Sequence, residues 1–156
     1  MRVCLGAATM AAVLFAGACR RPVPPPEFRP VGDMKQMMNW VVDPAANVVW
    51  GSVSTVVSRE GTEERGPDSD EAWADVRNHA AVLAEAGNLL LMNDRAPDRD
   101  AWTGFAHALT SAAQAAIRAA EARNRSALLG AGEQIYPVCL DCHQRYAPGL
   151  GPTMPR

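Results

Sequence analysis

Cys139-Leu140-Asp141-Cys142-His143 is the stretch from which the rest of the chain can be read. Two thiols sit three positions apart, and an imidazole follows the second directly. This C-x-x-C-H spacing is the attachment signature of a c-type haem. Each thiol adds across one haem vinyl group, and the adjacent imidazole is delivered to the iron from the same turn of chain. Two other uses of paired cysteines fit less well. A thioredoxin-like dithiol belongs in a βαβ context that is missing here, and a structural zinc site needs a second ligand pair that the sequence does not supply. The expected cofactor is one covalent haem c on Cys139 and Cys142, with His143 as the proximal iron ligand.

The other two cysteines, Cys4 and Cys19, lie at the N-terminus. Met1 and Arg2 make a minimal charged start, and Val3 to Gly17 is apolar or small apart from Thr9. Residues 1–18 therefore read as a secretory signal, too short for a transmembrane span. The run Leu14-Phe15-Ala16-Gly17-Ala18-Cys19 resembles the lipobox of bacterial lipoproteins, although Ala16 stands where leucine is usual. That resemblance implies lipidation of Cys19, which would become the mature N-terminus. Ala16-Gly17-Ala18 also serves as an ordinary cleavage site, which would release a soluble protein. Both readings export the chain to the periplasm, where c-type attachment in bacteria takes place. Contact with a membrane is expected only through lipid at Cys19. Residues 19–30 carry Pro22, Pro24, Pro25, Pro26 and Pro30, a composition that favours extended polyproline II and suits a spacer.

What remains is one domain of about 125 residues. The formal net charge of the whole chain is -2. Loss of a leader carrying Arg2 makes it -3, and haem propionates would add further negative charge. Nucleic acid is thus not an expected partner. No internal repeat and no Gly-rich phosphate loop is present.

Four helical stretches are expected. The first runs from near Gly32 to near Val57, with Met34, Met37, Met38, Val41, Val42, Val48, Val49, Val53 and Val56 on an apolar face. Asp43-Pro44 interrupts it, either as a kink or as a new helix start. Ser58 to Pro67 reads as a loop. The second helix opens around Asp68 to Asp70 and continues through Met92, and Gly87 in its interior marks a close approach of a helix or of the haem. After a turn around Pro97, a third helix spans about Asp98 to Arg123 with Trp102, Phe105, Leu109, Ala113, Ala116 and Ala120 in a stripe. The fourth runs from near Ser126 to Tyr146 and carries the haem motif, with Pro137 expected to kink or split it. Residues 148–156 form an irregular tail. No stretch shows period-two alternation, so the expected class is all-α, an antiparallel four-helix bundle over residues 31–147 with its haem on the C-terminal helix.

Between about Val31 and Tyr146 the chain resembles the cytochrome c′ family and its six-coordinate c556 relatives. The resemblance rests on a methionine-bearing first helix, a C-x-x-C-H on the last helix, and an aromatic residue, Tyr146, three after the histidine. The commoner cytochrome c fold places its haem motif near the N-terminus. In this family a basic residue commonly stands four after the haem histidine; here that position is Ala147, and Arg145 sits two after His143. The resemblance implies a sixth iron ligand from the first helix, at Met38, and pairing of some relatives into homodimers.

Met34 and Met37 are the other candidates for that ligand, and methionine on an amphipathic helix is also common core filler. His79 and His107 lie among alanines and read as partly exposed structural histidines. Trp40, Trp50, Trp73 and Trp102 read as packing residues of the bundle or the haem edge. A filled coordination sphere suits a carrier of single electrons that exchanges them with a redox partner protein, and not an enzyme. The alternative is a five-coordinate haem that binds NO or CO. A peroxidase would need a distal acid/base pair that is not recognisable here.

Overall fold

Asp33 starts the helical part of the chain with a capping box. Its carboxylate accepts the Gln36 N–H at 2.8 Å, and the Gln36 side chain accepts the Asp33 N–H at 3.0 Å. The computed structural model describes residues 27–92 and 95–150. The expectations for the leader, for Cys19, for the first part of the linker and for the end of the tail lie outside the described residues.

The order is α1 (Met34–Met37), a π-helical turn (Met38–Val42), α2 (Asp43–Gly51), β1 (Ser54–Ser58), β2 (Gly61–Arg65), α3 (Asp70–Leu90), α4 (Ala101–Glu121) and α5 (Arg125–Tyr146). The molecule is mostly helical, with one small two-stranded antiparallel sheet. Asp43-Pro44 does not break the first helix. The chain widens into the π-turn just before Pro44 and resumes as α-helix from Asp43, with proline in the first turn, where its missing N–H is least costly.

The first helix is shorter than its apolar pattern suggests. It ends at Gly51, and Val53, Val56 and Val57 belong to the segment that follows. Ser54–Ser58 pairs with Gly61–Arg65 in register Ser54↔Arg65 to Ser58↔Gly61, so the segment Ser58 to Pro67 is half strand and not simply loop. The β-branched run Val53, Thr55, Val56 and Val57 is stiff at χ1 and favours a strand over a helix. Its alternation is invisible because the hairpin is solvated on both faces: only Val56 in β1 is half-buried and all of β2 is exposed. Gly61 closes the two-residue turn with φ +135, a value side-chain-bearing residues rarely adopt.

Ser69 caps α3 by accepting the Ala72 N–H at 3.1 Å, and Asn124 caps α5 by accepting the Ala127 N–H at 2.9 Å. Asp98, just ahead of α4, accepts the N–H groups of Asp100 and Trp102 at 3.1 and 3.0 Å. The helix α3 packs most extensively on α4, and α4 on α5; α2 touches both α3 and α5. Gly87 marks a close approach of α3 to α4. A Cβ there would meet the Ala106 carbonyl at 2.7 Å and collide with the Thr110 hydroxyl, which donates to the Ala84 carbonyl at 3.1 Å. Alanines at 80, 84, 106, 113 and 116 are buried along these helices and let them lie close, while Leu83, Leu128, Ile135 and Val49 fill the centre.

Pro137 does not split α5, which runs unbroken from Arg125 to Tyr146. Pro137 and Glu133, whose carbonyl loses its amide partner to the proline, are both exposed, so water can take that bond.

Candidate functional site

A cavity of about 550 Å³ lies between the first helical stretch and α4 and α5. This is the size range of cofactor clefts. Met34, Lys35, Met38, Asn39, Val42, Asp43, Ala46 and Trp50 line it from α1, the π-turn and α2. From α4 come Trp102, Phe105, Ala106 and Leu109, with Leu90 at the end of α3. Val138, Cys139, Cys142 and His143 come from α5, followed by Ala147 and Leu150. The wall is dominated by apolar side chains, and Lys35 and Asp43 are its fully charged groups. The structure thus brings both thiols, His143 and Met38 to one apolar space.

The motif's spacing explains the α5 wall. Cys139, Cys142 and His143 are related by i, i+3 and i+4, which stacks them on one helix face. The two thiols are not joined in a disulfide, and both are partly buried. Burial pushes the Cys139 thiol up to about 11, with Cys142 nearby adding to the shift, and burial raises Cys142 as well. A redox-active dithiol is tuned in the opposite direction, toward the thiolate. Among the described residues no group of three or more His, Cys, Asp or Glu side chains is arranged to hold a metal ion by protein ligands alone. His143 Nδ1 is buried and has no hydrogen-bond partner. An orphaned buried ring nitrogen costs about 1–3 kcal/mol, so the imidazole is incomplete as it stands. Two protonated thiols, an imidazole on the same helix face and an apolar cleft of this volume fit a covalently attached haem.

The methionines separate. Met38 and Met34 line the cavity, whereas Met37 is 3% exposed and packs into the core. His79 and His107 are not part of the lining; the His79 ring sits 2.9 Å from the Asp75 carbonyl, one turn back in α3. The tryptophans also differ. Trp102 donates its indole N–H to the Leu90 carbonyl at 2.7 Å and Trp50 donates to the Gly132 carbonyl at 3.0 Å, so both are fixed against neighbouring helices while they wall the cavity. Trp73 is buried outside the lining. Trp40 does not pack inside: it is 62% exposed.

Beyond the motif, Tyr146 ties the end of α5 to α4. Its hydroxyl donates to Asp98 at 2.5 Å, and its ring meets Trp102 and Phe105 edge-on at centroid distances of 5.0 and 6.1 Å. Burial first, and the Asp98 carboxylate second, raise the Tyr146 hydroxyl above its usual range; the same hydrogen bond, aided by the Trp102 N–H, holds Asp98 below the usual carboxylate range. Arg145 turns toward this pair, 3.9 Å from Asp98 and with its guanidinium 5.4 Å from the Tyr146 ring centre. Ala147 therefore leaves the cavity wall uncharged at that point. The Trp50–Gly132 tie and the Asp98–Tyr146 pair were not foreseen from sequence. A small residue on α5 opposite a large aromatic and an aspartate ahead of a helix were their only signals.

Comparison with known proteins gives no matching family model, no matching curated protein and no matching solved structure. No helix among the described residues is long and apolar enough to cross a membrane.

Proposed function

We propose that this protein is a c-type cytochrome of the c′/c556 kind, a periplasmic carrier of single electrons and not an enzyme. The observation that carries the reading is the convergence of Cys139, Cys142, His143 and Met38 on one apolar cavity. In this reading Cys139 and Cys142 would hold the haem through two thioether bonds, each formed by addition of one S–H across a vinyl group. A bound haem c supplies an iron that accepts and returns one electron. His143 and Met38 are the residues that would hold its iron. Apolar walls from Val42, Phe105 and Leu109 keep water away from the cavity, and two protein ligands would limit rearrangement between oxidation states.

The same proposal takes the helices as an antiparallel four-helix bundle. Support comes from the pattern of packing, in which α2, α3, α4 and α5 form a closed ring of neighbours. Export, with or without lipid on Cys19, is part of the reading because covalent attachment needs that compartment.

The test is the absorption spectrum of the purified protein in both oxidation states. A low-spin ferric form with a methionine-to-iron charge-transfer band in the near infrared is expected. A wild-type protein that is already high-spin and takes up CO or NO readily would overturn the methionine ligand and move the assignment to gas binding.

A further inference from the structure

Within the first helical stretch, the cavity-lining residues include a ladder in steps of four, Met34, Met38, Val42, Ala46 and Trp50, flanked by Lys35, Asn39 and Asp43. An uninterrupted α-helix turns about 100° per residue, so each step of four drifts by about 40° and the four steps by about 160°. On an uninterrupted α-helix that ladder would wind nearly halfway round the axis. Met37 and Val42 pose the same problem. Both are buried, at 3% and 7% exposure, yet residues five apart on an α-helix point about 140° away from each other. The π-turn lies between them. The Asp43 N–H donates to the Met38 carbonyl, five residues back, so this one turn absorbs an additional residue.

We infer that the π-turn Met38–Val42 is a positioning device: it sets the rotational phase of Met34 to Met38 against the Trp50 anchor and thereby presents Met38 to the cavity. The inference deepens the proposed haem site and rests on it for the role of Met38; the phase argument itself rests on burial and hydrogen bonding alone. Proline does not explain the turn by itself, because Pro137 sits within α5 without any such widening. The turn answers the phase that the core and cavity require.

The geometry has an unusual consequence. Deleting Trp40, which is 62% exposed, makes Met38 the fourth residue before Asp43. The existing Asp43-to-Met38 hydrogen bond then becomes an ordinary α-helical one. Met37 and Val42 become four apart and stay on one face. Removing a residue from inside a helix should here be harmless, whereas deleting Asn47 from α2 should rotate Met34 to Met38 by about 100° relative to Trp50.

The experiment compares the mature holoprotein with its Trp40-deletion and Asn47-deletion variants. Two readouts are used: the ferric spin state, and the rate at which peroxide converts Met37 to its sulfoxide, mapped by peptide mass. The Trp40 deletion is expected to keep the wild-type spectrum and the protection of Met37. The Asn47 deletion is expected to lose both, with Met37 oxidised about an order of magnitude faster as it leaves the core. Loss of folding or of Met37 protection in the Trp40 deletion overturns the inference, as does an Asn47 deletion that behaves like wild type. A wild-type protein without methionine ligation overturns the functional reading only, since Met37 protection still reports the phase.

Discussion

Two walls of the same cavity each contain a proline inside a helical stretch, Pro44 and Pro137, and they handle it differently. In α5 the helix continues past Pro137 and delivers Cys139, Cys142 and His143 on adjacent turns. In the first stretch the chain widens into a π-turn immediately before Pro44, and the residues it presents depend on that widening. Both prolines are exposed, so solvent is available to the orphaned carbonyl in each case. What differs is how the functional groups are encoded. The α5 wall is local: spacing within five residues puts the groups together on any helix. The opposite wall is a matter of phase, set over the seventeen residues from Met34 to Trp50 and anchored by the Trp50 bond to Gly132.

Breaking the local wall should have the largest effect. Replacing Cys139→Ser together with Cys142→Ser is expected to abolish haem that survives acid-acetone extraction, and with the cavity left unfilled much of the helical signal in circular dichroism should go too. Haem retained through extraction would refute attachment at these thiols. The phase-dependent wall should break more selectively. Met38→Ala removes a soft neutral ligand that favours the ferrous state, so the midpoint potential should fall and the iron should become high-spin and bind CO. Met37→Ala, one residue away but in the core, should instead cost about 2–5 kcal/mol in urea denaturation and leave the low-spin spectrum intact. If the two variants exchange these phenotypes, Met37 is the ligand and the phase assigned to the π-turn is wrong.

The same contrast explains what could be read from the chain. The bounds of α3, α4 and α5 were legible to within a few residues because their caps and apolar stripes are local features, Ser69 and Asn124 among them. The motif gave three cavity residues for the same reason. The hairpin was not legible, because a ribbon solvated on both faces carries no alternation, and valines at 53 and 56 extend a helical pattern by coincidence of spacing. The π-turn was not legible either. Met34, Met37, Met38, Val41 and Val42 spread over about 140° of an ordinary α-helix, and nothing in the sequence shows that Met37 and Val42 are buried together.

A smaller effect separates close packing from site chemistry. Gly87→Ala would improve helix propensity by about 1 kcal/mol, yet its Cβ would press on the Ala106 carbonyl and the Thr110 hydroxyl. Backbone cannot yield as a side chain can, so a net loss of about 1–3 kcal/mol is expected in urea denaturation, with the haem spectrum unchanged. A neutral or stabilising outcome would mean that α3 and α4 can separate at this point without cost.

The smallest expected effect lies at Asp98, which joins the C-terminal end of the haem helix to α4. The carboxylate accepts from the Tyr146 hydroxyl and from the Trp102 and Asp100 N–H groups, and these bonds hold it below its ordinary range in the folded protein. The unfolded value is about 3.9. A group whose folded value is depressed contributes its full stabilisation above the unfolded value and loses it as the pH falls through the folded one. The contribution is therefore complete at neutral pH and fades below about pH 4. Asp98→Asn keeps an acceptor oxygen for Tyr146 but removes the titration, so the variant should be modestly less stable at pH 7, and its disadvantage should shrink steadily as the solution is acidified. Thermal midpoints measured for both proteins across pH 3 to 7 check this. Parallel curves would show that Asp98 acts only as a neutral cap for α4, and that its charge does nothing to hold Tyr146 and the end of α5 against the cavity.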